Sequence, residues 1–241
     1  MTTSALTLRR PVHPDRIFFP LMCAVVLLVT WLGFAKTYYA AGMIHAPLPS
    51  RIIHIHAIVF TLWLLTLIVQ TALVSARKVQ VHRRLGLWGF GLASVMLVVG
   101  ILAATDALRR GMSPPGSGLD AKVFYVVPMT AIAVFAVLIA WAYAARRRPV
   151  EHKRLILFAT IMLLSAAVGR FPYTITPMGP LAMSLIFLVL PAMVVAYDLV
   201  TLKKVHRVSL ICFLILAVET IGRIPLGQTP FWIKFATFMQ G

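Results

Sequence analysis

The 241-residue chain is 61% hydrophobic and only 12% charged, which leaves too little polar surface for a soluble domain of this length. Its 23 Lys and Arg outnumber 6 Asp and Glu, for a formal net charge of +17. The basic residues lie between apolar runs, a pattern that signals membrane topology and attraction to anionic lipid headgroups and leaves no room for a nucleic-acid-binding domain.

Met1 to Arg16 reads as a polar, basic tail without a cleavage site, so the apolar run from Phe18 is expected to be a true span. Apolar runs of membrane-crossing length predict seven transmembrane helices, at about 17–38, 52–75, 85–105, 123–145, 155–169, 181–199 and 208–224. Cys23 and Cys212 fall inside these runs and read as buried apolar side chains. The Gly- and Pro-rich stretch from Asp106 to Lys122 is the longest predicted loop, and FPYTITPMGP is a tight turn. The aromatic tail from Gln228 to Gly241 is too short for another crossing and reads as an interfacial segment. The expected fold is one all-α membrane domain, a lone first helix followed by three helical hairpins.

Three of the connections repeat one pattern: a cluster of Lys and Arg, then a histidine that opens the next apolar run. ARKVQVHRRLG carries His82, RRRPVEHKRLILF carries His152 and LKKVHRVSLICF carries His206. The N-terminal tail and these hinges hold 15 of the Lys and Arg, against 8 on the opposite face, which predicts a cytoplasmic N-terminus and an outside C-terminus. An internal repeat aligns VEHKRLILFATIMLLSAAVGRFP with KVHRVSLICFLILAVETIGRIP. His152 to Arg170 is 18 residues and His206 to Arg223 is 17, roughly one hydrocarbon thickness of helix. Each repeat thus carries a histidine at the inner rim and an arginine at the outer rim.

The three hinge histidines share one membrane face and one depth. Two neutral imidazoles from facing helices can hold a b-type haem, and Arg83, Arg84, Lys153 and Arg154 lie where cations would meet its propionates. The plainer alternative is that these residues anchor helix starts in the headgroup layer.

RRRPVEHKRLILFATIMLLSAAVG resembles the fifth-helix segment of the transmembrane di-haem cytochromes b, the ascorbate-dependent ferric reductases. That resemblance implies a haem b held by histidines of helices three and five, by position His82 and His152, with His206 as a further candidate. The family's second haem uses histidines opening helices two and four. His56 matches the first of these, whereas span four offers Tyr125. Taken whole, the chain resembles a group of uncharacterised bacterial seven-helix membrane proteins with a His-x-His start to span two and a His-Arg-Arg-Leu-Gly hinge. This implies a multi-pass protein of the bacterial inner membrane and no particular activity.

A second candidate site lies at the outer mouth. His54 and His56, with His45 and Met43 in the preceding loop, offer imidazole and thioether donors of the kind that bind copper or zinc. Residues i and i+2 of a helix point about 200° apart, so both histidines could hold one ion only across an irregular turn. Glu219 reads as the one carboxylate well inside a span, with Arg223 a turn further on. An intramembrane ionisable residue needs a partner or a polar cavity. His56, Arg170, Glu219 and Arg223 should share one depth, as a structural ion-pair network or as a pocket for an anion, a proton or a lipid headgroup. His56, Trp63 and Gln70 fall seven apart on one face of span two, so Gln70 reads as interhelical glue or as the inward end of a polar stripe.

No phosphate-binding glycine loop and no His-Glu-x-x-His are present, and the last span has no lysine within its apolar run for a retinal Schiff base. Three readings stand: a redox or haem-linked protein, a non-redox binding or transport protein, and a subunit without a site of its own in a homo-oligomer or larger membrane complex.

Overall fold

The computed structural model describes residues 14–40, 50–113, 118–171 and 179–241, and every regular element among them is helical. α1 (Asp15–Phe34) runs on into a π-helical turn, Ala35–Tyr39. Then follow α2 (Arg51–Ser75), α3 (Val79–Arg109), α4 (Ala121–Phe124) and α5 (Val126–Ala144). The chain continues with α6 (Pro149–Leu163), α7 (Ser165–Val168), α8 (Gly179–Leu202), α9 (Arg207–Gly227) and α10 (Pro230–Gln240). Six helices among the described residues are long and apolar enough to cross a membrane.

The fifth expected span falls on α6 and α7, which Leu164 interrupts. Its backbone N–H turns to Ile161 O at 2.9 Å, an i−3 bond that tightens the turn before α7 begins. Although Lys153 and Arg154 lie near its start, α6 is the axis of the bundle: from Arg154 to Met162 nearly every side chain is buried. α5 and α9 pack along it, and the closest neighbour pairs are α2 with α3, α5 with α6, and α3 with α5, followed by α8 with α9. α7 meets α1 at Gly33, where a Cβ would run into the Ala167 backbone, so only glycine permits that approach.

The outward faces remain apolar, with Leu28, Ile58, Val98, Val189 and Val218 all exposed. Water would not tolerate so broad an apolar surface, whereas lipid tails would. α2 is the most peripheral long helix and buries only Trp63, whose Nε1–H donates to Thr160 Oγ1 at 3.2 Å.

The two ends of the bundle differ. At one end lie the N-terminus of α1 and the starts of α6 and α9, since Lys153 Nζ pairs with Asp15 at 2.5 Å and Tyr197 donates to Asp15 at 2.7 Å. At the other, α10 starts on the Thr229 cap, its Trp232 Nε1–H donating to Lys122 O at 2.9 Å and its Gln240 amide to Leu108 O at 3.4 Å. The tail expected to be interfacial is therefore an 11-residue helix packed across the far ends of α3 and α4.

Candidate functional site

At the hinge end, α3 and α6 each start with a histidine turned inward, and the His82 and His152 rings stand 6.5 Å apart, nearly perpendicular. His152 Nδ1 lies 2.9 Å from Ala142 O, the last-turn carbonyl of α5. As a donor there, Nδ1–H would leave Nε2 as the free lone pair. His82 Nδ1 is buried without a hydrogen-bond partner.

His206 does not join them. It caps α9, its Nδ1 accepting from Val208 N–H at 3.2 Å. Burial, and after it the charge of Arg154, hold its imidazole below the usual histidine range.

Two of the four cations expected to face haem propionates have carboxylate partners instead. Lys153 pairs with Asp15. Arg154 pairs with Asp198, and both are essentially fully buried, at 2% and 0% side-chain exposure. Arg154 Nε also donates to Ser209 Oγ at 3.2 Å and Nη1 to Val150 O at 2.9 Å, while Asp198 accepts from His206 N–H. Arg83 and Arg84 lie exposed beside the histidine pair. Asp198 is a second buried carboxylate, one that the sequence reading did not single out. It sits near the end of its apolar run, which hid it, yet the start of α9 folds over it.

At the opposite end a cavity of about 290 Å³ opens among α1, α2, α3, α5, α6 and α9. On α3, Gly100, Ala103, Ala104 and Ala107 fall on one helix face and line the space. The π-helical turn that follows α1 lies at the mouth: Ala40 N–H bonds Ala35 O at 2.7 Å, and Phe34 and Tyr39 line the opening. Such turns occur often at functional sites. Trp63 and Thr160 also line the cavity, seven and ten residues inward of His56 and Arg170.

His56, Arg170 and Arg223 all reach this cavity, as expected of the outer set. His56 stacks within 4.0 Å of Phe60, and its Nδ1 is buried and unpaired. Arg170 lies over the Phe34 ring at 4.7 Å, with Nη1 donating to Ala166 O at 2.6 Å. Arg223 is 8% exposed, and its Nε and Nη1 have no hydrogen-bond partner. Glu219 lies 3.7 Å from Arg223 Nη1 but is held elsewhere: Oε1 accepts from Thr130 at 2.7 Å and Oε2 from Thr220 at 3.3 Å.

Two expectations for this end need correction. Gln70 does not belong to it. It lies 14 residues along α2 from His56, about 21 Å at 1.5 Å per residue, with its amide beside Gly86 and its Oε1 buried and unpaired. His54 and His56 do not converge on an ion either. The first turn of α2 is regular, so His54 faces away and its Nδ1 meets Tyr38 OH at 3.0 Å. His45 lies outside the described residues, among which no group of three or more His, Cys, Asp or Glu could hold a metal.

Six long apolar helices around a buried axis, with lipid-ready outer faces, define an all-helical, multi-pass membrane protein. Comparison with protein-family models, with curated proteins and with solved structures finds no match to this chain.

Proposed function

We propose that the chain is a seven-span protein of the bacterial inner membrane that binds or transports an anion through the outer-end cavity. In this reading the N-terminus and hinges are cytoplasmic, the C-terminus is outside, and α6 with α7 makes the seventh crossing. The observation that carries the reading is Arg223, a buried cation in the cavity wall whose Nε and Nη1 have no hydrogen-bond partner, its ion-pair carboxylate Glu219 standing off at 3.7 Å. Leaving a buried charge short of hydrogen bonds is costly, and an incoming oxyanion would supply the missing acceptors through charge-assisted bonds. Arg170 adds a second positive charge at the mouth. Glu219 tempers the cationic field without occupying Arg223, because Thr130 and Thr220 hold its oxygens.

The test is thermal unfolding of the detergent-purified protein titrated with phosphate, sulfate, acetate and decanoate. At least one should raise Tm saturably, the rise should vanish in Arg223→Gln, and Glu219→Gln should alter the midpoint. No response to any anion would overturn the reading. An unchanged anion response in Glu219→Gln, with lower stability alone, would reduce Glu219 to a structural role.

A second reading rests on the His82–His152 pair, whose 6.5 Å separation suits one ion shared by two ring nitrogens. As a haem b site, His82 and His152 would hold the group, and bound haem would supply one-electron chemistry. The Ala142 carbonyl would fix the His152 tautomer, and Arg83 and Arg84 are the cations left for the propionates. A Soret band in protein expressed with haem supplied, lost in His82→Ala and in His152→Ala, is the expected result. Colourless protein would sink this reading.

A further inference from the structure

We infer that the ligand of the outer cavity is a single-chain amphiphile: one alkyl chain carrying a carboxylate or phosphate head. This rests on the anion reading above and concerns what lies behind the charged group. The basic side chains that line the cavity, His56, Arg170 and Arg223, gather at its outer end, and His56 Nδ1 and Arg223 Nε and Nη1 are buried there without hydrogen-bond partners. Deeper in, the polar groups are already satisfied. Thr160 Oγ1 accepts from Trp63 and donates to Ile156 O at 2.9 Å, and Thr30 donates to Val26 O at 2.8 Å. Around Thr160, Trp63 and Thr30 the cavity therefore asks no hydrogen bond of its occupant; its apolar wall includes Gly100, Ala103, Ala104, Ile132 and Leu164, and the hydroxyls of Thr61 and Ser165 also line it.

Depth and breadth point the same way. From Arg170 to Thr160 is ten residues across the break at Leu164, at most about 15 Å, or up to half of a hydrocarbon core of roughly 30 Å. A chain seated head-outward would reach from the headgroup level toward the bilayer midplane, as a lipid of one leaflet does. A volume of about 290 Å³ lies at the small end of ligand sites, of which roughly 300 Å³ is the lower bound, so it admits one chain rather than two. A bare inorganic anion would leave the apolar part empty and forgo the contact that burying a chain brings.

The experiment is equilibrium binding of radiolabelled decanoate to the full-length chain in phosphatidylcholine nanodiscs, with empty nanodiscs as the baseline. Saturable binding should fall by at least roughly tenfold in Arg223→Gln, the loss expected for one charge-assisted contact. In Ala103→Leu, which narrows the chain region and leaves the charges alone, decanoate should weaken while acetate stays unchanged. Decyl phosphate against decanoate distinguishes a lysolipid-type phosphate head from a fatty-acid carboxylate. If acetate or inorganic phosphate binds as tightly as decanoate, the amphiphile inference is overturned while the anion site stands. If decyltrimethylammonium binds as well as decanoate, the positive head site is wrong. If nothing binds, the anion reading itself fails. Should Arg223→Gln not fold, the Ala103→Leu comparison still decides the inference.

Discussion

At the scale of single residues, Arg154 and Asp198 form the most exposed liability of the fold, because neither sees solvent. A buried pair adds little over a well-packed apolar pair, yet removing one partner strands a charge in a low-dielectric interior. Asp198→Asn should therefore destabilise the protein by about 3–5 kcal/mol, measured as a fall in detergent thermal unfolding. The double change Arg154→Met with Asp198→Leu should cost much less, and equal losses would refute this account of the pair. His206 makes a second prediction next door. Its neutral ring caps α9, and burial, then Arg154, depress its folded pKa. The unfolded chain, with an ordinary histidine pKa of about 6.5, binds more protons below that value than the fold does. The contribution is complete above the unfolded pKa and is lost as pH falls through the folded one. Since other histidines titrate too, the readout is a difference: His206→Asn, a good cap that cannot protonate, should show a shallower loss of Tm between pH 7.5 and 5. Identical pH slopes would remove His206 from the account.

At the scale of elements, hydropathy and charge clusters placed most helices well, because lipid imposes long, continuous apolar runs that a sequence displays directly. What they missed was local. The break at Leu164 has no Pro or Gly at that position, and it depends on α7 leaning toward α1 at Gly33, a tertiary contact. The alignment of the two repeats suggested equal roles for His152 and His206, yet one packs under α5 while the other caps its own helix. A displacement of the helix start by a few residues is enough: α6 begins three residues before its histidine and α9 one residue after. The outer site was partly legible. Arg170, Glu219 and Arg223 stand out because charges inside apolar runs are rare, and they do meet near one end. The cavity behind them was not legible, since Gly100, Ala103, Ala104 and Ala107 look like any close-packed helix face until the facing helix is known. Gln70 was drawn into the wrong end by a stripe that is real but runs the length of α2: His56 and Trp63 line the cavity, while Gln70 sits by Gly86.

At the scale of the whole molecule, the ends of the bundle assign the cavity a side once the orientation is known. The basic hinges, the N-terminus of α1 and the His82–His152 pair share one end; the cavity mouth and α10 share the other. The excess of Lys and Arg on the hinge end predicts that this end faces the cytoplasm, because basic loops resist translocation. The cavity would then open outward, and its arginines would meet anions at the outer leaflet rather than metabolites inside the cell. Arg147 in the second hinge and Lys234 on α10 are both exposed, so each can be replaced by cysteine without disturbing the core, while Cys23 and Cys212 are buried. On intact cells a membrane-impermeant maleimide should label Lys234→Cys and leave Arg147→Cys unmodified until the cells are opened. The reverse result would turn the cavity toward the cytoplasm. Labelling at both sites would mean an even number of crossings between them, and α6 with α7 would then not traverse the bilayer.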